Sequence, residues 1–512
     1  MFYKQLIKLY STRVISLVTG MLSYLIVIPR LSAEVNSYGI YSVVISLLIF
    51  LQYADLGFLG AGQKYAAESY AKNERDNEIK ILGFVHFILI IVVLLYVLLL
   101  VFVYFNPGSF INAMNAQDET LAKNLILIFI CSSPIIVLQR LSSAIFTIRL
   151  EEYILQYFEI TSSIIKILST FYFFRNGHYE IINYVIFIQF MNIVSVVCCL
   201  IVTKYRYNYS MIKLIYGLRF QKSVYDLTKM MALASVVQTI AYMLYFEFDL
   251  IYIGKLYNPK IVALFAIGVI MLNFSRSFMN AFFGPWLAKL NHLRGLSDND
   301  GIDRYFFLLV EWALPISFFP ALAIIIMMHS IIISWIGTAY IDSLWINRLL
   351  ISTLFFSFLN VPINYFAMAK EKFRFLLITS LFLPLFYFTL FFFLYDPLGY
   401  FSFPTAKLLT IVLQLIIITY LLRNSIAKIL ISFIIKRFKY LILPLLTFLS
   451  ILSLLYPYWG YPSGISTFFF LRVVCIGGIS SLLSITLYYL INPNTRVKVL
   501  HLISLIRFNS LN

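Results

Sequence analysis

The sequence predicts an all-α integral membrane protein: about fourteen transmembrane helices, read as two pseudo-symmetric six-helix lobes plus two C-terminal helices. Three observations carry that expectation. Hydrophobic residues make up 62% of the 512 and charged residues 12%, whereas a soluble domain is about 45–50% apolar and about a quarter charged. The apolar residues come in runs long enough to cross a hydrocarbon core of ~30 Å. Basic residues gather in every second loop between those runs, as in a multi-pass chain. The net charge of +17 is then mostly a topology signal, and no nucleic-acid partner is expected.

In order, the spans are read at roughly 13–33, 39–61, 81–104, 121–148, 153–174, 180–203, 226–253, 260–287, 305–335, 345–368, 374–395, 400–422, 440–456 and 468–491. The first follows a polar, basic stretch from Met1 to Arg13. No small-residue cleavage site ends it, so it is expected to stay as a helix rather than leave as a signal peptide. The second begins at the aromatic-glycine turn Tyr38-Gly39-Ile40-Tyr41 and runs through Asp55-Leu56-Gly57 towards Lys64-Tyr65-Ala66. Short loops separate the next four, and a longer basic loop, 204–225, follows the sixth. Two-fold repeats are common in secondary transporters, so the chain is divided there. The expected units are an N-terminal lobe 1–203, a cytoplasmic linker 204–225, a C-terminal lobe 226–422, and 423–512 as a basic loop, two additional helices and a tail. The basic loops 204–225 and 423–439 suit anionic lipid head groups. Pro134, Pro315, Pro320, Pro362 and Pro384 fall within spans, where neighbouring helices tolerate a kink. Cys131, Cys198, Cys199 and Cys475 all sit in apolar runs and are expected to be buried packing residues.

Most of the 39 basic residues lie in one set of alternate loops, which includes Lys64, Lys72, Arg75, Lys204, Arg206, Lys213, Lys370, Lys436 and Arg437. By the positive-inside rule that set is cytoplasmic, and so are both termini. An even number of spans keeps the alternation intact.

No phosphate-cradling G-x-x-x-x-G-K-[ST], no H-E-x-x-H and no Cys/His cluster of metal spacing occurs, so no enzyme activity, cofactor or metal is expected. The acidic groups Glu247-Phe248-Asp249 and Asp298-Asn299-Asp300 invite comparison with membrane glycosyltransferases. The first falls at helix seven, however, and the second reads as a solvated turn in a short loop. More informative are the charges inside spans: Asp55, Arg140, Glu159, Lys166, Asp226, Lys229, Glu247, Asp249, Arg276, Glu311 and Lys407. Each unpaired charge near the bilayer centre costs roughly 2.5–3.5 kcal/mol, so most are expected to line a shared polar interior. Glu159 and Lys166 are seven residues apart, on one helix face and about 10 Å from each other. That is too far for direct pairing, but both can look into one cavity. Arg140, Lys166 and Arg276 are the expected cavity cations. Asp226, Lys229, Glu311 and Lys407, nearer span ends, are expected to snorkel. Inward cations suit an anionic substrate, arginine gripping it by a fork and lysine as a point charge. The carboxylates Asp55, Glu159, Glu247 and Asp249 are the candidates to exchange a proton or hold a cation.

The stretch from Tyr38 to Ala66 resembles the second helix of the polysaccharide and O-antigen flippases, in the multidrug/oligosaccharidyl-lipid/polysaccharide (MOP) exporter superfamily. Phe248-Asp249-Leu250-Ile251-Tyr252-Ile253-Gly254 followed by Val262-Ala263-Leu264-Phe265 is similar to the start of that family's second half. Ala263 and Phe265 stand where the family usually has glycine and tyrosine. Pro285-Trp286-Leu287-Ala288 fits the end of the same helix. The resemblance covers about residues 10–425, and the last two helices match in number and hydrophobicity only. It implies a non-enzymatic flippase in the bacterial cytoplasmic (inner) membrane. Such a protein moves an undecaprenyl-diphosphate-linked oligosaccharide to the outer leaflet by alternating access. It also implies partners: the lipid-linked oligosaccharide, membrane lipids, and the polysaccharide polymerase and chain-length proteins. By position it implies Arg13 at the cytoplasmic opening of helix one, as a further cavity cation for the substrate, and Arg30 at its outer close. Asp55 and Asp249 match the acidic positions of helices two and seven.

Two other functions compete. A cation-coupled multidrug exporter of the same superfamily would want carboxylates rather than cations inside. A membrane polysaccharide polymerase or glycosyltransferase commonly carries a long external loop with basic residues. The loops expected outside are short and almost free of them.

Overall fold

The computed structural model describes residues 2–496 except 54, 176, 210, 297, 422–426 and 494, so the expected tail after Arg496 lies outside the described residues. Among the described residues every regular element is a helix, as lipid demands when each backbone polar group must find its partner within the segment. The α-helices are α1 (Phe2–Leu31), α2 (Val35–Ile49), α3 (Phe58–Ala71), α4 (Arg75–Phe105), α5 (Ala116–Ile148), α6 (Glu152–Phe173) and α7 (Ile181–Tyr207). Then come α8 (Met211–Tyr216), α9 (Lys222–Phe246), α10 (Asp249–Leu256), α11 (Pro259–Gly295), α12 (Asn299–Ile336), α13 (Leu344–Ser352) and α14 (Ser357–Ala369). The last are α15 (Phe373–Leu398), α16 (Ser402–Leu421), α17 (Ala427–Phe438), α18 (Ile442–Leu454), α19 (Tyr456–Trp459) and α20 (Thr467–Ile491).

Among the described residues nine helices are long and apolar enough to cross a membrane, or eleven if two bent pairs each make one span. Three features separate this from the fourteen expected. The second expected span, 39–61, is broken rather than continuous: α2 passes through a 3-10 turn, Phe50–Tyr53, and α3 restarts at Phe58. Leu56 (φ 46°) and Gly57 (φ 70°) turn the chain there. Helix α6 carries so many polar residues that it falls below the apolarity of a lipid-facing helix. Helices α15 and α16 count together as one stretch, Phe375–Ile418. The bent pairs are α9, with 42° between Lys222–Leu233 and Ser235–Phe246, and the tenth expected span, with 44° between Thr338–Phe356 and Phe358–Ala369.

By packing, the chain forms two compact units, Met1–Ala266 and Ile267–Asn512. In the first, α1 lies along α6, α4 is flanked by α3 and α5, and α7 packs on both α5 and α6. Helices α9 and α10, which a division by repeat gives to the second half, pack on α3 and α2 of this first unit. Gly39 is needed for that: a Cβ there would come within 1.9 Å of the Pro259 carbonyl oxygen at the start of α11. Gly57 serves likewise, since its added Cβ would meet Ser235 of α9 at 2.4 Å and its positive φ suits glycine. The expected linker loop is also docked. Tyr209 and Leu214 are buried among the ends of α3, α4 and α5, and Arg75 donates to the Tyr207 carbonyl at 2.7 Å.

In the second unit α12 is the central element, a 38-residue helix continuous through Pro315 and Pro320, with α13, α14 and α20 packed on it. The C-terminal helices are tied in by polar contacts as well as packing. Tyr489 Oη donates to the Trp312 carbonyl at 2.9 Å, and α18 lies against α20. Of the four cysteines only Cys199 is buried; Cys131 and Cys475 are exposed and Cys198 is intermediate, which corrects their reading as core. An apolar run places a thiol in a helix without saying which side of it faces lipid.

Candidate functional site

Helices α1, α5, α6 and α7 wall a polar cavity inside the first unit. It has two adjoining parts of about 430 and 380 Å³ that share Gln139, Leu155, Glu159 and Asn192. Each wall is one helix face. Helix α6 offers Leu155, Glu159, Ser162, Ser163 and Lys166, spaced four, three, one and three residues apart, while its exposed Tyr157, Ile164, Leu168 and Phe171 point elsewhere. Helix α1 gives Ser16, Thr19, Gly20, Ser23 and Tyr24 in the same rhythm. Helix α7 adds Gln189, Asn192, Ser195 and Cys199, and α5 adds Ser132, Gln139, Arg140 and Ser142.

Lys166 and Glu159 are each held by an amide. Lys166 Nζ donates to Asn192 Oδ1 at 2.6 Å, and Asn192 Nδ2 donates in turn to Gln189 Oε1 at 3.2 Å. Gln139 Nε2 donates to Glu159 Oε1 at 3.4 Å. Arg140 lines the second part of the cavity beside Gln189 and Asn192. Two cations and one carboxylate therefore face a space otherwise lined by hydroxyls and amides and, in the second part, as much by apolar side chains such as Phe129, Ile135 and Ile136.

The other candidates lie elsewhere. Arg13 is exposed and pairs with Glu152 at 3.5 Å; it is not one of the lining residues, which corrects its reading as a cavity cation. Arg30, at the opposite end of α1, donates to the Ile26 carbonyl at 2.7 Å and lies 4.0 Å over the Phe171 ring, fastening α1 to α6. Asp55 is half-buried in the turn between α2 and α3, where its carbonyl accepts from the Phe58 N–H at 2.9 Å. Glu247 is half-buried at the C-terminal cap of α9. Asp249 is buried in the first turn of α10, where the helix dipole favours a carboxylate. Arg276 belongs to the second unit, half-buried on α11, with Nη1 donating to Asn273 Oδ1 at 3.1 Å.

Asp226 and Lys229 form an exposed pair at 2.6 Å, as snorkelling groups would. Glu311 and Lys407 do not snorkel. Glu311 is buried against Arg437 of α17 at 2.6 Å and accepts from Asn492 at 2.5 Å. Lys407 is buried on α16, 5.7 Å over the Tyr387 ring. Asp298 caps α12, its Oδ1 accepting from the Gly301 N–H at 2.7 Å.

A second ionic cluster, absent from the sequence reading, ties the first unit together where α3, α5 and α7 end. Arg149 and Glu78 pair at 2.8 Å with both side chains buried, and the Tyr70, Tyr207 and Tyr209 rings surround the guanidinium within 5.6 Å. Beside it Glu151 accepts a fork from Arg206 at 2.9 and 2.7 Å and a hydrogen bond from Tyr207. Burial alone would raise the Glu151 carboxyl. The Arg206 fork and the Tyr207 hydroxyl outweigh that and hold it below the usual glutamate range.

No family model matches the sequence, and no curated protein matches it. The fold does have solved counterparts. The chain is similar to the lipid II flippase MurJ in an inward closed conformation, at TM-score 0.61 and 16% identity over 95% of this chain and 99% of that one. It is also similar to an inward-facing multidrug resistance MATE family transporter of the MOP superfamily, at TM-score 0.61 and 10% identity over 80% and 96%. An outward-facing MATE transporter matches at TM-score 0.54 and 13% identity over 83% and 96%. At such identities the likeness is one of fold alone: the all-helical chain is folded like these solved transporters.

Proposed function

We propose that this protein is a non-enzymatic flippase of the bacterial cytoplasmic membrane. It moves an anionic lipid-linked oligosaccharide, such as an undecaprenyl-diphosphate-linked O-antigen, capsule or exopolysaccharide repeat unit, by alternating access. The observation that supports this best is the charge balance of the cavity, with Lys166 and Arg140 against Glu159 alone. Cations facing a low-dielectric wall attract an anion, whereas a site for cationic drugs needs carboxylates in excess. The flippase named among the structural counterparts acts on lipid II, and a lipid-borne substrate is what the present reading also proposes. The multidrug exporter remains the competing reading, since MATE transporters share the fold.

Reconstituted flipping of a fluorescent lipid-linked oligosaccharide, set beside efflux of a cationic dye, separates the two readings. On the flippase reading Arg140→Ala lowers flipping by about 10–100-fold, the size of one lost charge-assisted contact. Protein level stays near that of the wild type, and Arg140→Lys recovers only part because it loses the fork. Dye efflux without oligosaccharide flipping would reverse the assignment.

The proposed orientation places both termini in the cytoplasm. A single cysteine at the exposed Ala339, in a Cys-free background, should then react with an impermeant thiol reagent in intact cells. One at Tyr216, 79% exposed on α8, should react only after permeabilisation. Equal labelling at both would overturn the orientation.

A further inference from the structure

We infer that Asn192 is a positioning residue: its side-chain amide holds the Lys166 ammonium out in the cavity and away from Glu159, which keeps the cation open to an anionic group. What this does for transport rests on the flippase reading; the placement of the charge does not.

Donor and acceptor chemistry fixes the order of the contacts. An ammonium has three N–H donors and no acceptor, so Asn192 can meet it only with Oδ1. Lys166 Nζ donates to that oxygen at 2.6 Å. The Asn192 amide nitrogen must then face away, and it donates to Gln189 Oε1 at 3.2 Å, about one turn back on α7. Gln189 thus sets which way round the Asn192 amide stands.

Glu159 is held in the opposite sense. A carboxylate only accepts, and Gln139 of α5 meets it with Nε2 at 3.4 Å. Two opposite charges on one face of α6 are therefore drawn to amides on two different helices, α5 and α7.

The consequence lies in what Lys166 would do without its amide. Lysine is a point charge on a flexible four-carbon stem. Its attraction to Glu159 grows as the gap between them closes. Released from Asn192, the stem can lean along α6 towards Glu159, and each charge then screens the other. A neutral amide holds the ammonium without cancelling its charge.

The test uses the full-length protein in nanodiscs, Cys-free except for a cysteine at Ser23, which lines the cavity. Helices α1 and α6 run side by side, Arg13 meeting Glu152 and Arg30 meeting Phe171, so Ser23 stands towards the Lys166 end. The cysteine is modified by an anionic and, separately, a cationic methanethiosulfonate reagent, and the ratio of the two rates reads the local charge. Asn192→Leu is expected to lower the anionic-to-cationic ratio by about 3–10-fold, the scale of moving one charge a short way in a medium of intermediate dielectric. In a Glu159→Gln background the ammonium has no carboxylate to lean towards, so the same substitution should change the ratio little. Gln189→Leu, which leaves Asn192 and both charges in place, should act like Asn192→Leu but less. Charges elsewhere in the cavity are common to every variant and drop out of this double-mutant comparison. An equal fall in both backgrounds, or no fall in either, would overturn the positioning role. In a protein that still flips lipid-linked oligosaccharide, either result leaves the flippase reading standing. A fall that needs Glu159, in a protein that flips no lipid-linked oligosaccharide, would support the positioning role and remove the flippase reading.

Discussion

Replacing Arg149 by alanine is expected to destabilise the first unit by about 3–5 kcal/mol, the usual result of stripping one partner from a buried ion pair. The reason is what remains behind. Glu78 is fully buried, and its Oε1 accepts from Arg149 at 2.8 Å. Arg75 is 3.9 Å from the other oxygen, too far to take over. The same substitution empties the space between Tyr70, Tyr207 and Tyr209, whose rings hold the guanidinium by cation–π contact. Because Tyr209 belongs to the docked linker and Tyr70 to α3, the loss also loosens elements far apart in sequence. Thermal unfolding of detergent-purified protein measures the effect, with Asp226→Asn as the control. That pair is nearly half exposed on both sides, where an ion pair contributes at most about 1 kcal/mol. Changing Glu78 and Arg149 together to leucine and methionine should recover much of the loss, since no lone buried charge is then left. Equal destabilisation by Arg149→Ala and Asp226→Asn would remove the buried pair from this role.

Helical periodicity made the cavity wall partly legible in the sequence. Glu159 and Lys166 fall on one face of α6 because seven residues make nearly two turns, and both line the same cavity. The amides that hold them had a signal too: Gln189 and Asn192 lie three apart in an apolar run, the spacing of neighbours on one face. The Arg149–Glu78 pair had none. Its members are 71 residues apart, each in a stretch that reads as a charged loop. Glu311 and Lys407 went astray for a different reason. Position along a span measures depth, while burial depends on which neighbour the side chain meets sideways. For Glu311 that neighbour is Arg437, on a helix the hydropathy reading treated as a loop. The break in the second span was hidden likewise, because apolarity continues through Leu56 and Gly57 while the backbone turns.

Glu159→Gln is expected to abolish the dependence of flipping on an imposed proton gradient while leaving downhill flipping measurable. On the flippase reading, directional movement would draw on an ion gradient or on substrate supply. A membrane carboxylate is the usual carrier of the ion. Glu159 is placed for this because its attraction to Lys166 acts across the cavity rather than through contact. Lys166 is held by Asn192, and Glu159 by Gln139 through a long 3.4 Å hydrogen bond. A negative group entering between them would engage Lys166 and screen it from Glu159. The charge of Glu159 would then be balanced by a proton or cation from the aqueous phase. Leaving the site, the substrate would return Lys166 to the carboxylate and release that ion, which links one substrate movement to one ion movement. Glutamine keeps the shape and the hydrogen bond to Gln139 but carries no exchangeable charge, so binding survives and coupling does not. The measurement is the flipping rate in proteoliposomes over a series of imposed pH differences and, separately, sodium differences. Gradient-dependent flipping in the wild type with a flat response in Glu159→Gln is the expected result. The same slope in both proteins would rule Glu159 out as the coupling group. A flat response in both would mean that substrate supply alone drives the transport.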